Sequence, residues 1–210
     1  MPVLALVSNK GGAGKTTLAM NLAAGLGRRA SVVLVDADPQ GSALQWARVA
    51  EMTGDAPVEV VAAGRELAVN VRALAHQHDY VVIDCPPSID ASQSRTALAI
   101  SGLALVPVLP SPLDLWATTY IAAAVEQAAR KNHRLRAALV VNQLEPRTTL
   151  SRVVGDALGE LEIPVLDARV RRRSVYRNCM LEGRTVYGMG ARGRDAVDEM
   201  NQLHMEIFPT

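Results

Sequence analysis

The chain has 210 residues, 49% hydrophobic and 20% charged, a balance that excludes a disordered or fibrous protein and predicts one soluble globular domain over 1–210. Lys and Arg number 22 against 21 Asp and Glu, a net charge of +1 that by itself points to no polyanionic partner; aromatics are 3%, so Ala, Val, Leu and Ile must build the core. Cys85 and Cys179 are too few for a disulfide scaffold, no apolar run approaches a membrane span, and the opening MPVLALVSNKGG lacks the regions of a signal peptide, so the expected setting is the reducing cytoplasm.

Short apolar runs alternate with helical segments. A strand is predicted over 2–7 and a helix over 16–26, where Leu18, Leu22 and Leu26 share one face. Strands follow at 31–36, 58–63, 80–84 and 103–109, with helices near 42–52, 65–77, 91–101 and 113–131 between and after them. The series continues with a strand at 138–142, a helix near 148–161, a short strand near 163–166, and helices near 174–182 and 191–207. Strands apolar on both faces and separated by helices predict an α/β fold, a doubly wound, mostly parallel sheet. No internal repeat or low-complexity linker divides the chain.

The most informative stretch joins the first strand to the first helix: Ser8, Asn9, Lys10, Gly11, Gly12, Ala13, Gly14, Lys15, Thr16, Thr17. Glycines let a backbone wrap a phosphate chain with its N–H groups inward, and the helix that follows offers its positive N-terminus to the same anion. Lys15 is placed to reach the β- and γ-phosphates of ATP and Thr16 to coordinate Mg²⁺.

Asn9 stands where the usual P-loop pattern has its first glycine, and Lys10 adds a second lysine. This K-G-G-x-G-K-[ST] sequence is the deviant Walker A motif, and on it the chain resembles the ParA/MinD family of P-loop ATPases. The resemblance runs from Val3 to about Val186. It implies that Lys10 reaches across an ATP-dependent sandwich homodimer to phosphates bound by the partner, and that residues 10–17 contact ATP. Asp36, Ala37, Asp38, Pro39 and Gln40 resemble the family's D-x-D-P-Q element, and residues 81–87, with Asp84, its Walker B and switch II. The resemblance implies catalytic roles for Lys10, Lys15 and Asp38, with Asp38 positioning the attacking water. It implies Mg²⁺ contacts from Thr16, Asp36, Asp38 and Asp84, with Asp36 also supporting the Lys10 region. Asn142, at the end of an apolar strand, is placed by the same resemblance near adenine, which its amide could meet with a donor and an acceptor. Residues 107–114 resemble the proline-rich segment of small, ParF-like members; they are either a stiff connector or part of a dimer interface.

The net charge conceals an asymmetry. Residues 127–194 hold 14 cations and 6 anions, a net +8, which leaves −7 for the rest of a chain whose total is +1. A basic region with few aromatics suits sequence-independent contacts to duplex DNA phosphates, and Arg169, Arg171, Arg172 and Arg173 are the first candidates. ParA-type ATPases bind DNA non-specifically as ATP dimers, so the resemblance agrees. It further implies weak hydrolysis stimulated by a ParB-like or cargo-adaptor protein, nucleoid association, and movement of a plasmid, a chromosome locus or a protein body such as a carboxysome or chemoreceptor cluster. A MinD-like membrane regulator is the alternative, but the acidic C-terminal segment is unlike a basic membrane-inserting helix. A metabolic ligase of the same lineage, acting in biotin or cobyrinate synthesis, is a second alternative. No constellation for its acceptor substrate is visible.

Overall fold

The computed structural model describes residues 3–54, 56–145 and 163–208. Among them, seven strands form one parallel sheet: β1 (Val3–Leu6), β2 (Val32–Asp36), β3 (Glu59–Ala62), β4 (Tyr80–Asp84), β5 (Leu103–Val108), β6 (Arg136–Leu144) and β7 (Val165–Arg171), in the spatial order β3-β2-β4-β1-β5-β6-β7. The helices are α1 (Lys15–Leu26), α2 (Ser42–Thr53), α3 (Leu67–Ala75), α4 (Ser92–Ile100), α5 (Pro112–Ala129), α6 (Ser174–Glu182) and α7 (Arg194–Ile207). The predicted helix near 148–161 lies outside the described residues.

The apolar runs become central strands because both of their faces are covered. Leu4, Leu6, Leu34, Val82 and Leu105 point to one side and meet Leu18 and Leu22 of α1, Trp46 of α2, Cys179 of α6 and Met200 and Leu203 of α7. Ala5, Val33, Val35, Ile83 and Val106 point to the other and meet Leu67 and Val71 of α3, Leu98 of α4 and Ile121 and Val125 of α5. Both cysteines are free and buried, as packing residues.

Three boundaries differ from expectation. The last strand is longer and starts later than 163–166, and it carries Arg169 and Arg171 as strand residues. Its alternation of apolar and charged side chains is that of an edge strand with one wet face. The strand over 138–142 extends in both directions. A 3₁₀ turn over Gly190–Gly193, preceded by another over Val186–Gly188, occupies the start of the predicted 191–207 helix, which begins at Arg194.

From β1 the chain moves out to β2 and β3 on one side, returns through β4, then crosses to β5, β6 and β7. The winding reverses around β1, so the C-terminal ends of β1, β2, β4 and β6 open onto one crevice, the place where parallel α/β sheets bind ligands.

Candidate nucleotide site

The loop after β1 is shaped by Gly12 (φ +78) and Gly14 (φ +93), both in the left-handed region that favours glycine. A Cβ at Gly14 would overlap the Asn142 amide, whereas beside Gly11 and Gly12 the space is open. The closed side is buttressed from β6: the Asn142 amide donates to the Ala13 carbonyl at 2.7 Å and the Gln143 amide to the Gly12 carbonyl at 2.9 Å. Gln143 itself takes φ 54 to do so, the one described non-glycine residue with positive φ. Asn9 ties the loop to the other side, its side-chain oxygen accepting the Ile89 N–H at 3.4 Å. The loop is therefore preorganised, with its open face toward the start of α1.

Lys15 is buried, and its ammonium donates to the Ser8 hydroxyl at 3.0 Å and to the Lys10 carbonyl at 3.4 Å. Burial lowers its pKa, opposed by the charges of Asp84 and Asp38. An anion in the loop would satisfy a cation that now has only neutral oxygens. The Thr16 hydroxyl donates to Asp84 Oδ2 at 2.6 Å, while Asp84 Oδ1 is buried without a hydrogen-bond partner. Burial pushes the Asp84 carboxyl up to about 7, with Asp36 raising it further and Thr16 and Lys15 acting in the opposite direction. A buried carboxylate with an orphaned oxygen beside a threonine hydroxyl fits a hydrated divalent cation, whose charge would offset the desolvation.

Asp36 and Asp84 are direct neighbours in the β2–β4 register. Both oxygens of Asp36 are engaged by backbone, one by the Asp38 N–H at 3.1 Å and the other by the Leu44 N–H at 3.0 Å. Asp36 thus anchors the loop into α2; it does not contact Lys10, which the resemblance placed near it. Asp38 is half-buried, and one oxygen accepts the Gln40 N–H at 3.0 Å. Asp36 and Asp38 line an open cleft of about 630 Å³ on the β2 side of the loop. On the β6 side a smaller cleft of about 150 Å³ is bounded by Gly14, Thr17, Asn142, Gln143, Tyr176 and the arginines at 171, 172, 173 and 177.

That second cleft changes how the basic region reads. Three of the four arginines expected at DNA, Arg171, Arg172 and Arg173, flank the pocket in which Asn142 was expected to meet adenine. Arg171 and Arg177 are exposed at its mouth. Arg172 pairs with Glu145 at 2.6 Å, and Arg169 is half-buried in β7. Arg173 is held internally by Asp195 and Glu199, each at 2.8 Å. Lys131, Arg134 and Arg136 lie at the opposite end of the sheet, where β6 begins.

Sequence reasoning missed Ser8, Gln143 and Asp114. Asp114 accepts an ion pair from Lys10 Nζ at 2.9 Å. Its place three residues after the N-cap Ser111, whose hydroxyl accepts the Asp114 N–H at the start of α5, was visible in the chain; its contact with a residue 104 positions away was not.

A phosphate cradle with two lysines, on a parallel sheet with this strand order, defines a P-loop nucleotide-binding protein. The chain belongs to the CobQ/CobB/MinD/ParA nucleotide binding domain family, whose sequence profile matches residues 4–186. It is 45% identical to the maintenance of carboxysome distribution protein A of Halothiobacillus neapolitanus, over 99% of this chain and 96% of that one. The protein of the same description from Gloeobacter kilaueensis is 33% identical over 98% of this chain and 93% of its own. Among solved structures, the septum site-determining protein MinD of Pyrococcus horikoshii, complexed with Mg-ADP, superposes with a TM-score of 0.76 at 20% identity, covering 99% of this chain and 96% of that one.

Proposed function

We propose that this protein is a ParA-type, Mg²⁺-ATP-dependent switch. It forms a sandwich homodimer on ATP, binds duplex DNA non-specifically, hydrolyses ATP weakly until an adaptor stimulates it, and so positions carboxysomes on the nucleoid. The observation that carries the switch is the preorganised loop with Lys15 inside it and Lys10 at its mouth. The cargo rests on 45% identity, along nearly the whole chain, to a carboxysome distribution protein.

The backbone N–H groups of residues 11–17 and the Lys15 ammonium would hold the phosphates, and Thr16 and Asp84 would hold Mg²⁺ through hydroxyl and water. The metal, when bound, neutralises phosphate charge. Asp38, half-buried beside the open cleft, is the group left to orient a water, since Asp36 is committed to backbone N–H groups. Asn142 and the walls of the smaller cleft would enclose the base. Arg171 leads the DNA contacts, with Arg172, held by Glu145, and Arg169 and Arg173 behind it; because Arg171, Arg172 and Arg173 flank the smaller cleft, occupancy of that cleft and binding of phosphates outside it would be coupled through β7.

No observation favours membrane attachment. The apolar face of α7, with Ala196, Met200, Leu203 and Ile207, is buried against the core, and among the described residues no helix is long and apolar enough to cross a membrane.

The test is duplex DNA binding measured with ATP, with ADP and without nucleotide across a salt series. Binding that requires ATP and weakens steeply with salt is expected, since each neutralised phosphate releases counterions. Equal binding in all three nucleotide states contradicts the switch.

A further inference from the structure

The loop backbone around Lys10 is fixed while its side chain is held elsewhere. The Lys10 carbonyl accepts from the Ser8 hydroxyl at 3.0 Å and from Lys15, so the loop cannot easily shift. The Lys10 ammonium leaves the phosphate cradle and pairs with Asp114 at 2.9 Å; the lysine side chain is 47% exposed and the aspartate 7%. Asp114 Oδ2 also accepts the Ser111 hydroxyl, and Ser111 Oγ in turn accepts the Asp114 N–H at 3.2 Å. The carboxylate sits in the first turn of α5, where the helix favours negative charge.

We propose that Asp114 is a positioning residue for Lys10: it holds the lysine within its own subunit and thereby sets the ATP concentration at which two subunits pair. This rests on the reading of Lys10 as a ligand of the partner's phosphates. A lysine paired in cis is unavailable in trans, so dimerisation must first break the contact. Asp114 does not lose all support when Lys10 departs, because the Ser111 hydroxyl and the helix N-terminus remain. A half-exposed ion pair of this kind is weak enough to open, and holding most molecules in the closed arrangement raises the apparent dimerisation threshold by about five- to tenfold.

The experiment is sedimentation velocity at fixed protein concentration across a titration of Mg²⁺ and ATPγS, a slowly hydrolysed analogue. Asp114→Asn keeps the size of the side chain and its serine contact but removes the charge. Its midpoint for dimerisation is expected about five- to tenfold below wild type. Asp114→Ser, a second uncharged residue suited to a helix N-terminus, is expected to lower it as well. Ser111→Ala, which damages the cap and keeps the carboxylate, lowers nothing. Damage to the fold raises the ATP requirement, so a lowered midpoint cannot come from a merely structural role. A midpoint unchanged or raised in both Asp114 variants, each with a wild-type unfolding temperature, overturns the proposal. Wild type that stays monomeric throughout the titration overturns the reading of Lys10 beneath it.

Discussion

At the scale of single residues, the site separates groups fixed by the backbone from groups left able to act. Asp36 has both oxygens filled by N–H groups, whereas Asp38 has one bond to its own loop. Asp38→Ala is therefore expected to bind ATP and DNA yet lose hydrolysis by about 10²-fold or more, measured as phosphate release with saturating ATP. Retained turnover would remove Asp38 from the catalytic role. Asn142→Ala takes the buttress from the loop, and weaker nucleotide binding in calorimetry is expected at little cost to the sheet. His204 adds a pH dependence remote from the site. Its Nε2–H donates to the Leu22 carbonyl at 2.8 Å, and burial lowers its pKa from the ordinary 6.5. The unfolded chain then binds a proton more readily than the folded one just below pH 6.5, so the stability held above that pH is lost as pH falls through the window beneath it. The unfolding temperature should drop between pH 7.5 and 5.5, and drop less in His204→Gln; an equal drop in both would remove His204 as the source.

At the scale of elements, the central strands were legible because each is apolar on both faces, and the loop after β1 because its glycines and lysines have few other uses. β7 was legible only in part. Arg169 and Arg171 read as a charge cluster in the chain, and became strand residues because β7 lies at the sheet's edge and is closed by α7. Glu206 accepts the Asp167 and Ala168 N–H groups at 2.7 and 2.6 Å, and Glu199 accepts the Arg171 N–H at 3.2 Å. The acidic residues that speak against a membrane helix are the acceptors an open edge needs. Glu199, buried and shared by Arg173 and the Tyr176 hydroxyl at 2.9 Å, is the centre of that seam. Replacing it with alanine leaves several buried donors unmet, and a loss of about 3 kcal/mol in denaturant unfolding is expected. The Lys10–Asp114 contact was illegible for a different reason: it joins β1's loop to α5, and only the sheet order brings them together.

At the scale of the whole molecule, a net charge of +1 hides basic groups at both ends of the sheet. Arg130, Arg172, Arg173 and Arg192 are neutralised by internal pairs. Arg171 and Arg177 are exposed beside the smaller cleft, so one part of the basic region available to a polyanion lies next to the proposed nucleotide pocket, while Lys131, Arg134 and Arg136 are exposed at the other end of the sheet. The DNA surface proposed for this protein would come under ATP control through the placement of Arg171 and Arg177, and the proposal's central requirement is that ATP join two subunits through Lys10. The most direct measurement is the mass of the protein in solution with Mg²⁺ and ATP, wild type beside Lys10→Ala. The account predicts a dimer for wild type and a monomer for the variant, with ATP still bound to both; a Lys10→Ala protein that dimerises on ATP as wild type does would contradict it.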